Sequence, residues 1–162
     1  MDGQTPNHGR ELILLLEDFK EKHFRVKLAL FKKLKTYCER LTPYIKQGQD
    51  VALLKEQLAN FEEVLHAESM NLEVLRLAVI KNQKPASHTL VNIIQLRDYE
   101  NRAYYAVYIL FGRFPGIKIS FKERKRKKVI LKILEKYSGI SYKSYNQIKY
   151  IVKKIQEYFS YS

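Results

Sequence analysis

The stretch VALLKEQLANFEEVLHAESMNLEVLRLAV, residues 51–79, carries the plainest periodicity in the chain. Val51, Leu54, Leu58, Phe61, Leu65, Leu72, Leu75 and Val79 recur at alternating steps of three and four residues, and Glu68 occupies the one remaining position of the series. An apolar stripe with that repeat is the seam of a long helix packed in the manner of a coiled coil. A helix of roughly 31 residues is about 46 Å long. Glu68 puts a charge where the helix must be buried, and such a residue specifies register when a partner meets it.

Upstream, Lys46-Gln47-Gly48-Gln49 reads as a turn and Thr42-Pro43 as a helix stop. Before them a helical pattern runs from about Gly9 to Leu41, with Leu12, Leu16, Phe19, His23, Val26, Leu30, Leu34 and Tyr37 as its seam. The short connection predicts a long antiparallel hairpin. Residues 1–8 read as a flexible tail. Two helices bury little between themselves, so the hairpin over 9–83 is expected to form a homo-oligomer or take a helical protein partner, unless a third helix covers its groove.

Downstream, Asn82-Gln83-Lys84-Pro85 breaks the pattern, and Ser87 is placed to cap a third helix reaching about Phe111. Its apolar positions are read as Leu90, Ile94, Tyr105, Tyr108 and Phe111, and Gly112 with Phe114-Pro115-Gly116 ends it. Residues 9–112 thus form a coiled-coil-like helical bundle. Ser120-Phe121-Lys122-Glu123 has the spacing of a capping box and opens a helix over about 121–137. Ser138-Gly139 reads as a break. Ser141 then caps a helix over about 142–159, with Ile140 and Tyr145 as a hydrophobic staple. The expected fold is all-α.

Charge divides the chain as sharply as periodicity does. Residues 113–162 hold 14 Lys/Arg against three acids, whereas residues 1–112 hold 16 against 14. Six of the twelve tyrosines also lie in the basic part. That asymmetry points to a polyanionic partner rather than to a small-molecule reaction. The two short helices with a Gly-containing turn resemble a helix-turn-helix, with Leu134 before the turn, Gly139 in it, Ile140 after it and Ile148 in the second helix. The resemblance implies that the second helix enters the major groove of DNA. Ser141, Tyr142, Lys143, Asn146 and Gln147 would then face base edges, the amides pairing with adenine and the lysine with guanine. Lys149, Lys153 and Lys154 would meet phosphates, and Lys122, Arg124, Lys125, Arg126, Lys127 and Lys128 would grip the flanking backbone.

The function expected is therefore non-enzymatic nucleic-acid binding, DNA before RNA, with the N-terminal helices mediating oligomerisation or partner binding. The alternative is a helical scaffold whose basic end docks on an acidic protein or an anionic membrane. Tyr142 and Tyr150 are the tyrosines best placed for stacking on bases; at least half of the others are expected in the core or at contacts.

Other chemistries find little material. The single cysteine, Cys38, forms no internal disulfide and reads as an ordinary half-buried thiol. Glu63-Val64-Leu65-His66 has di-iron spacing but no second pair, so no metal and no cofactor are expected. There is no phosphate-cradling Gly loop, no Gly-x-Ser-x-Gly turn and no apolar run of transmembrane length. The chain reads as intracellular and soluble. Lys125-Arg126-Lys127-Lys128 also resembles a nuclear-import signal, which in a eukaryote implies the nucleus.

Overall fold

The computed structural model describes the backbone of residues 6–112 and 116–160, and the side chains of all but the first two of these. Of the tail expected at residues 1–8, residues 1–5 lie outside the described residues, as do the stop at Phe114-Pro115 and the start of the basic part at Arg113, whereas Pro6, Asn7 and His8 are not a tail but the first residues of a helix. Wherever the three-and-four repeat is sustained, the chain is helical: α1 (Pro6–Phe19), α2 (Arg25–Leu41), α3 (Gly48–Ile80), α4 (Ser87–Tyr108) and α5 (Arg124–Ser160). The all-α class holds. No helix among the described residues is long and apolar enough to cross a membrane.

α1 and α2 run on as one rod through a π-helical turn, Lys20–Phe24, in which the Arg25 amide bonds to the Lys20 carbonyl five residues back. The extra residue moves the seam. Leu12, Leu16 and Phe19 are buried before the turn, and Phe24, Lys27, Leu30, Phe31, Leu34, Cys38 and Leu41 after it. His23, Val26 and Tyr37, expected on the seam, are only half-buried. The exchange puts Phe24 and Phe31 into the core, where Phe31 meets Phe61 with ring centroids 5.0 Å apart. α3 follows its sequence pattern position by position, with Glu68 buried on the seam and Val51 half-buried at its start.

α4 corrects the expected register. Ile93, Tyr104 and Val107 are buried, while Tyr105 and Tyr108 are exposed. Ser87 is its first helical residue and makes no capping bond. Ser120 does hold the extended backbone of a cap, yet its side chain caps nothing, and Glu123 pairs with Arg126 instead of reaching back.

The largest correction falls on the basic part. The turn expected at Ser138-Gly139 does not exist: α5 is a single helix of 37 residues through both positions. There is thus no helix-turn-helix. Ser141 caps no second helix, and Ile140 and Tyr145 form no staple. The physical reason is a continuous seam. Ile130, Leu134, Tyr137, Ser141, Ser144, Ile148, Ile151, Ile155 and Phe159 are all buried at three- and four-residue steps, so one uninterrupted face packs inward across the supposed break. Gly139 is exposed, and a Cβ there would meet nothing within 4 Å. A helical glycine costs about 1 kcal/mol relative to alanine, which packing of an amphipathic face readily exceeds.

The rod's main neighbour is α5, not α3. Gly9 lies beside Tyr158 and Ile45 bridges Ile119, so the rod and α5 run antiparallel. α3 packs on α4, and contacts of α1 with α3 and of α4 with α5 close the ring. The expected helical partner rests on a groove left open by two helices, and α4 and α5 fill that groove within one chain. The connections are tied together at one end, where the Lys46 amide donates to the Lys118 carbonyl at 2.9 Å and the Ser120 amide to the Tyr44 carbonyl at 3.2 Å.

Candidate functional site

Two features stand out on this scaffold: a charged layer inside the bundle and a basic ridge outside it. The layer forms where each rod places a polar residue on its own seam at one level. Lys27, 2% exposed, sends its Nζ to Glu68 Oε1 at 2.7 Å and to Glu100 Oε2 at 2.9 Å. Glu100 also accepts from Tyr137 Oη at 2.6 Å and from Ser141 Oγ at 2.9 Å. Arg97 completes the set, donating to Ser141 Oγ at 2.6 Å with its guanidinium 3.8 Å from Glu100 Oε1. Beside it is a cavity of about 20 Å³, lined by Arg97, Ser144 and Tyr145 among others, about the space of one water.

Burial works against the Lys27 charge, but Glu68, Glu100 and the hydrogen bonds to both hold its pKa above the ordinary lysine value. Burial likewise raises Glu68, with Lys27 pulling it back. Burial and the adjacent Glu100 push the Tyr137 phenol well up. Two cations face two carboxylates, each bonded within the layer, and the layer's chemistry is that of a register lock joining all four rods. The sequence reading flagged only Glu68. Lys27 falls beside, not on, the seam expected through Val26, and Arg97 and Glu100 fall in the gap between Ile94 and Tyr105 in the apolar series of α4, so the sequence alone does not bring them together.

The ridge is the outer face of α5. Lys125, Lys128, Lys132, Lys136, Gly139, Lys143, Asn146, Tyr150 and Lys153 follow one another at three- and four-residue steps, and all are exposed. The row spans about 42 Å. Among the described residues Lys125, Lys128, Lys132, Lys136, Lys143 and Lys153 make no ion pair. Lys132 and Lys136 were not singled out in the sequence because the supposed turn hid the continuity of the face.

The other expected phosphate contacts divide. Lys122 and Arg124 are exposed, the Arg124 guanidinium lying 4.4 Å from the Phe121 ring centroid. Arg126 is half-buried, paired with Glu123 and placed over Tyr44. Lys127 is half-buried. Lys149 is exposed over the Tyr145 ring at 4.5 Å. Lys154 pairs with Glu157 at 3.5 Å. Of the expected base readers, Ser141 is buried and bonded to Glu100, and Gln147 is half-buried. Tyr142, Lys143 and Asn146 are exposed. None stands at a helix N-terminus, so the end-on docking of a recognition helix is not open to them.

Cys38 is fully buried rather than half-buried, and burial pushes its thiol up to about 12. His23 stacks on Phe19, and burial lowers its pKa. Glu63 and His66 are exposed on α3, and among the described residues no three His, Cys, Asp or Glu side chains gather into a metal site. Compared with known protein families, with curated protein sequences and with solved structures, the chain matches none.

Proposed function

We propose that this protein is a non-enzymatic nucleic-acid-binding protein that holds the phosphate backbone along the outer face of α5. The observation that carries the reading is the ridge of six exposed lysines, none with an acidic partner among the described residues. Lys128, Lys132 and Lys136 repeat at i, i+4, a spacing at which like charges cost about 0.2–0.5 kcal/mol per pair in an isolated helix. A polyanion lying along the ridge removes that repulsion and releases its own counterions. α5 carries eleven Lys/Arg and two acids, and the charged layer beneath it fixes the helix against its neighbours. The ridge is therefore presented as a rigid line of charge. Such a line reads phosphate rather than sequence. The preference for duplex DNA over RNA rested on a recognition helix and falls with the turn.

The test is a binding panel at one salt concentration: duplex DNA, single-stranded DNA, structured RNA, and vesicles of phosphatidylserine and phosphatidylcholine. Binding to nucleic acid that falls linearly with the logarithm of salt, with vesicles bound more weakly, is the expected result. Vesicles bound more tightly than every nucleic acid would replace this reading with docking on an anionic surface.

A further inference from the structure

The outer face of α5 changes character along its length. Up to Lys136 the exposed row is lysine alone, and from residue 142 onward it carries aromatic rings as well. Tyr142, Asn146 and Tyr150 stand at i, i+4 and i+8, which places them in one row on the helix surface. Tyr142 is 62% and Tyr150 47% exposed. The rings sit about 12 Å apart along the axis. Lys143, Lys149 and Lys153, all exposed, flank the row within one turn of a ring. Tyr142 makes no ring, ion or hydrogen-bond contact among the described residues, and the Lys154 ammonium stands 5.5 Å from the Tyr150 ring centroid.

The tyrosines that hold the core are different ones. Tyr104 and Tyr137 are buried and bond to the Leu134 carbonyl and to Glu100. Tyr142 and Tyr150 add no such packing. An exposed ring gains by leaving water, and the flat partner that a polyanion offers is a base. In a duplex the base faces are stacked on one another and closed to a ridge on the outside of a bundle. In a single strand they are open, and the phosphates between them can reach the flanking lysines.

We propose that residues 142–153 bind single-stranded nucleic acid, with separate bases stacked on Tyr142 and Tyr150 and the intervening phosphates held by Lys143, Lys149 and Lys153. The proposal rests on the reading of α5 as a phosphate-binding ridge and narrows its ligand to an unpaired strand. Asn146, between the rings, supplies one amide to the edge or sugar of the strand passing over it.

The chain contains no tryptophan, so Tyr142→Trp and Tyr150→Trp each create a sole reporter at one stacking position. Both variants are titrated with a thymidine oligonucleotide, with its duplex against the complementary strand, and with heparin, which has charge but no bases. Stacking on an unpaired strand predicts that the oligonucleotide quenches both reporters at saturation, and that the duplex and heparin quench neither. Tyr142→Ser and Tyr150→Ser, checked for unchanged helical content, should each weaken oligonucleotide binding about five- to hundredfold while leaving heparin binding as in the parent. An oligonucleotide that binds without quenching either reporter, and that binds the serine variants as tightly as the parent, overturns stacking and leaves the ridge reading intact. Failure of oligonucleotide, duplex and heparin alike to bind overturns the ridge reading and this inference with it.

Discussion

Lys27 and Glu68 meet at 2.7 Å inside the bundle although 41 residues separate them in the chain. Each breaks the apolar seam of its own helix, and each is the answer to the other's burial. Glu100 shares the same ammonium at 2.9 Å.

Lys27→Met should therefore cost far more than the loss of one contact. It leaves Glu68 buried with no cation and Glu100 with only the Arg97 guanidinium at 3.8 Å, and breaking such a buried pair costs about 3–5 kcal/mol. The double variant Lys27→Met/Glu68→Leu should recover part of the loss, because one uncompensated carboxylate goes with it. Urea unfolding at constant m-value measures both. Equal stability of Lys27→Met and the parent would show that the layer is not closed as described.

Gly139→Ala separates a continuous α5 from a turn. The glycine is helical, exposed and free of any close neighbour for a Cβ. Alanine should then raise stability by about 0.5–1 kcal/mol. In a turn that needs a positive φ the same change would destabilise. The shift in denaturation midpoint decides by its sign.

Stability should fall as pH rises beyond about 9, and Cys38 should be one source. A thiol in water titrates at about 9, and burial in the fold pushes that of Cys38 up to about 12. The folded state thus keeps a proton that the unfolded chain gives up. A group raised in this way contributes its full stability below the unfolded pKa, and the contribution is lost as pH climbs toward the folded value. Tyr137 and Lys27, also raised, act in the same sense at higher pH. Between pH 9 and 12 Cys38→Ala should flatten the decline by up to one proton, about 1.4 kcal/mol per pH unit. Parallel curves for variant and parent would dismiss the thiol as a contributor.

On the ridge, Lys125, Lys128, Lys132 and Lys136 lie on the part of α5 without rings. Replacing all four by Gln should reduce the slope of log K against log salt by roughly three units, at about 0.7–0.9 per lost phosphate contact. It should lower affinity for every nucleic-acid sequence alike. Helical content should be unchanged and stability held or slightly raised, because like charges four residues apart are removed. An unaltered slope would mean that these lysines only face water.

How far the chain could be read without its structure differed from helix to helix. α3 was legible position by position because its repeat is unbroken and its one polar member sits on the seam. α5 was legible as helical and basic but not as continuous. Ser138-Gly139 is a local signal for a break, and Ser141 and Ser144 look like surface or cap residues, whereas burial of both against neighbouring helices keeps the seam intact. α4 was misread because Tyr105 and Tyr108 look apolar enough to be core, while the polar Arg97 and Glu100 mark the true inward face. The charged layer was out of reach for the same reason. A single seam shows an odd charge, and only the packing of four seams shows that the charges match. The ridge was half visible, with its phosphate contacts concentrated in 122–128 until one helix made Lys132 and Lys136 part of the same line.

The π turn at Lys20–Phe24 means that the N-terminal rod contains one residue more than its seam requires. Removing any single residue from Lys20 to His23 would let Leu12, Leu16 and Phe19 continue into Phe24, Lys27, Phe31, Leu34, Cys38 and Leu41 as one alternating four-and-three series, with no buried side chain turned outward. The same deletion in α3 would rotate everything beyond it by about 100° and carry Glu68 away from Lys27. The rod thus has a built-in tolerance to change of length at this one place, and the length of the chain on either side is under no such freedom.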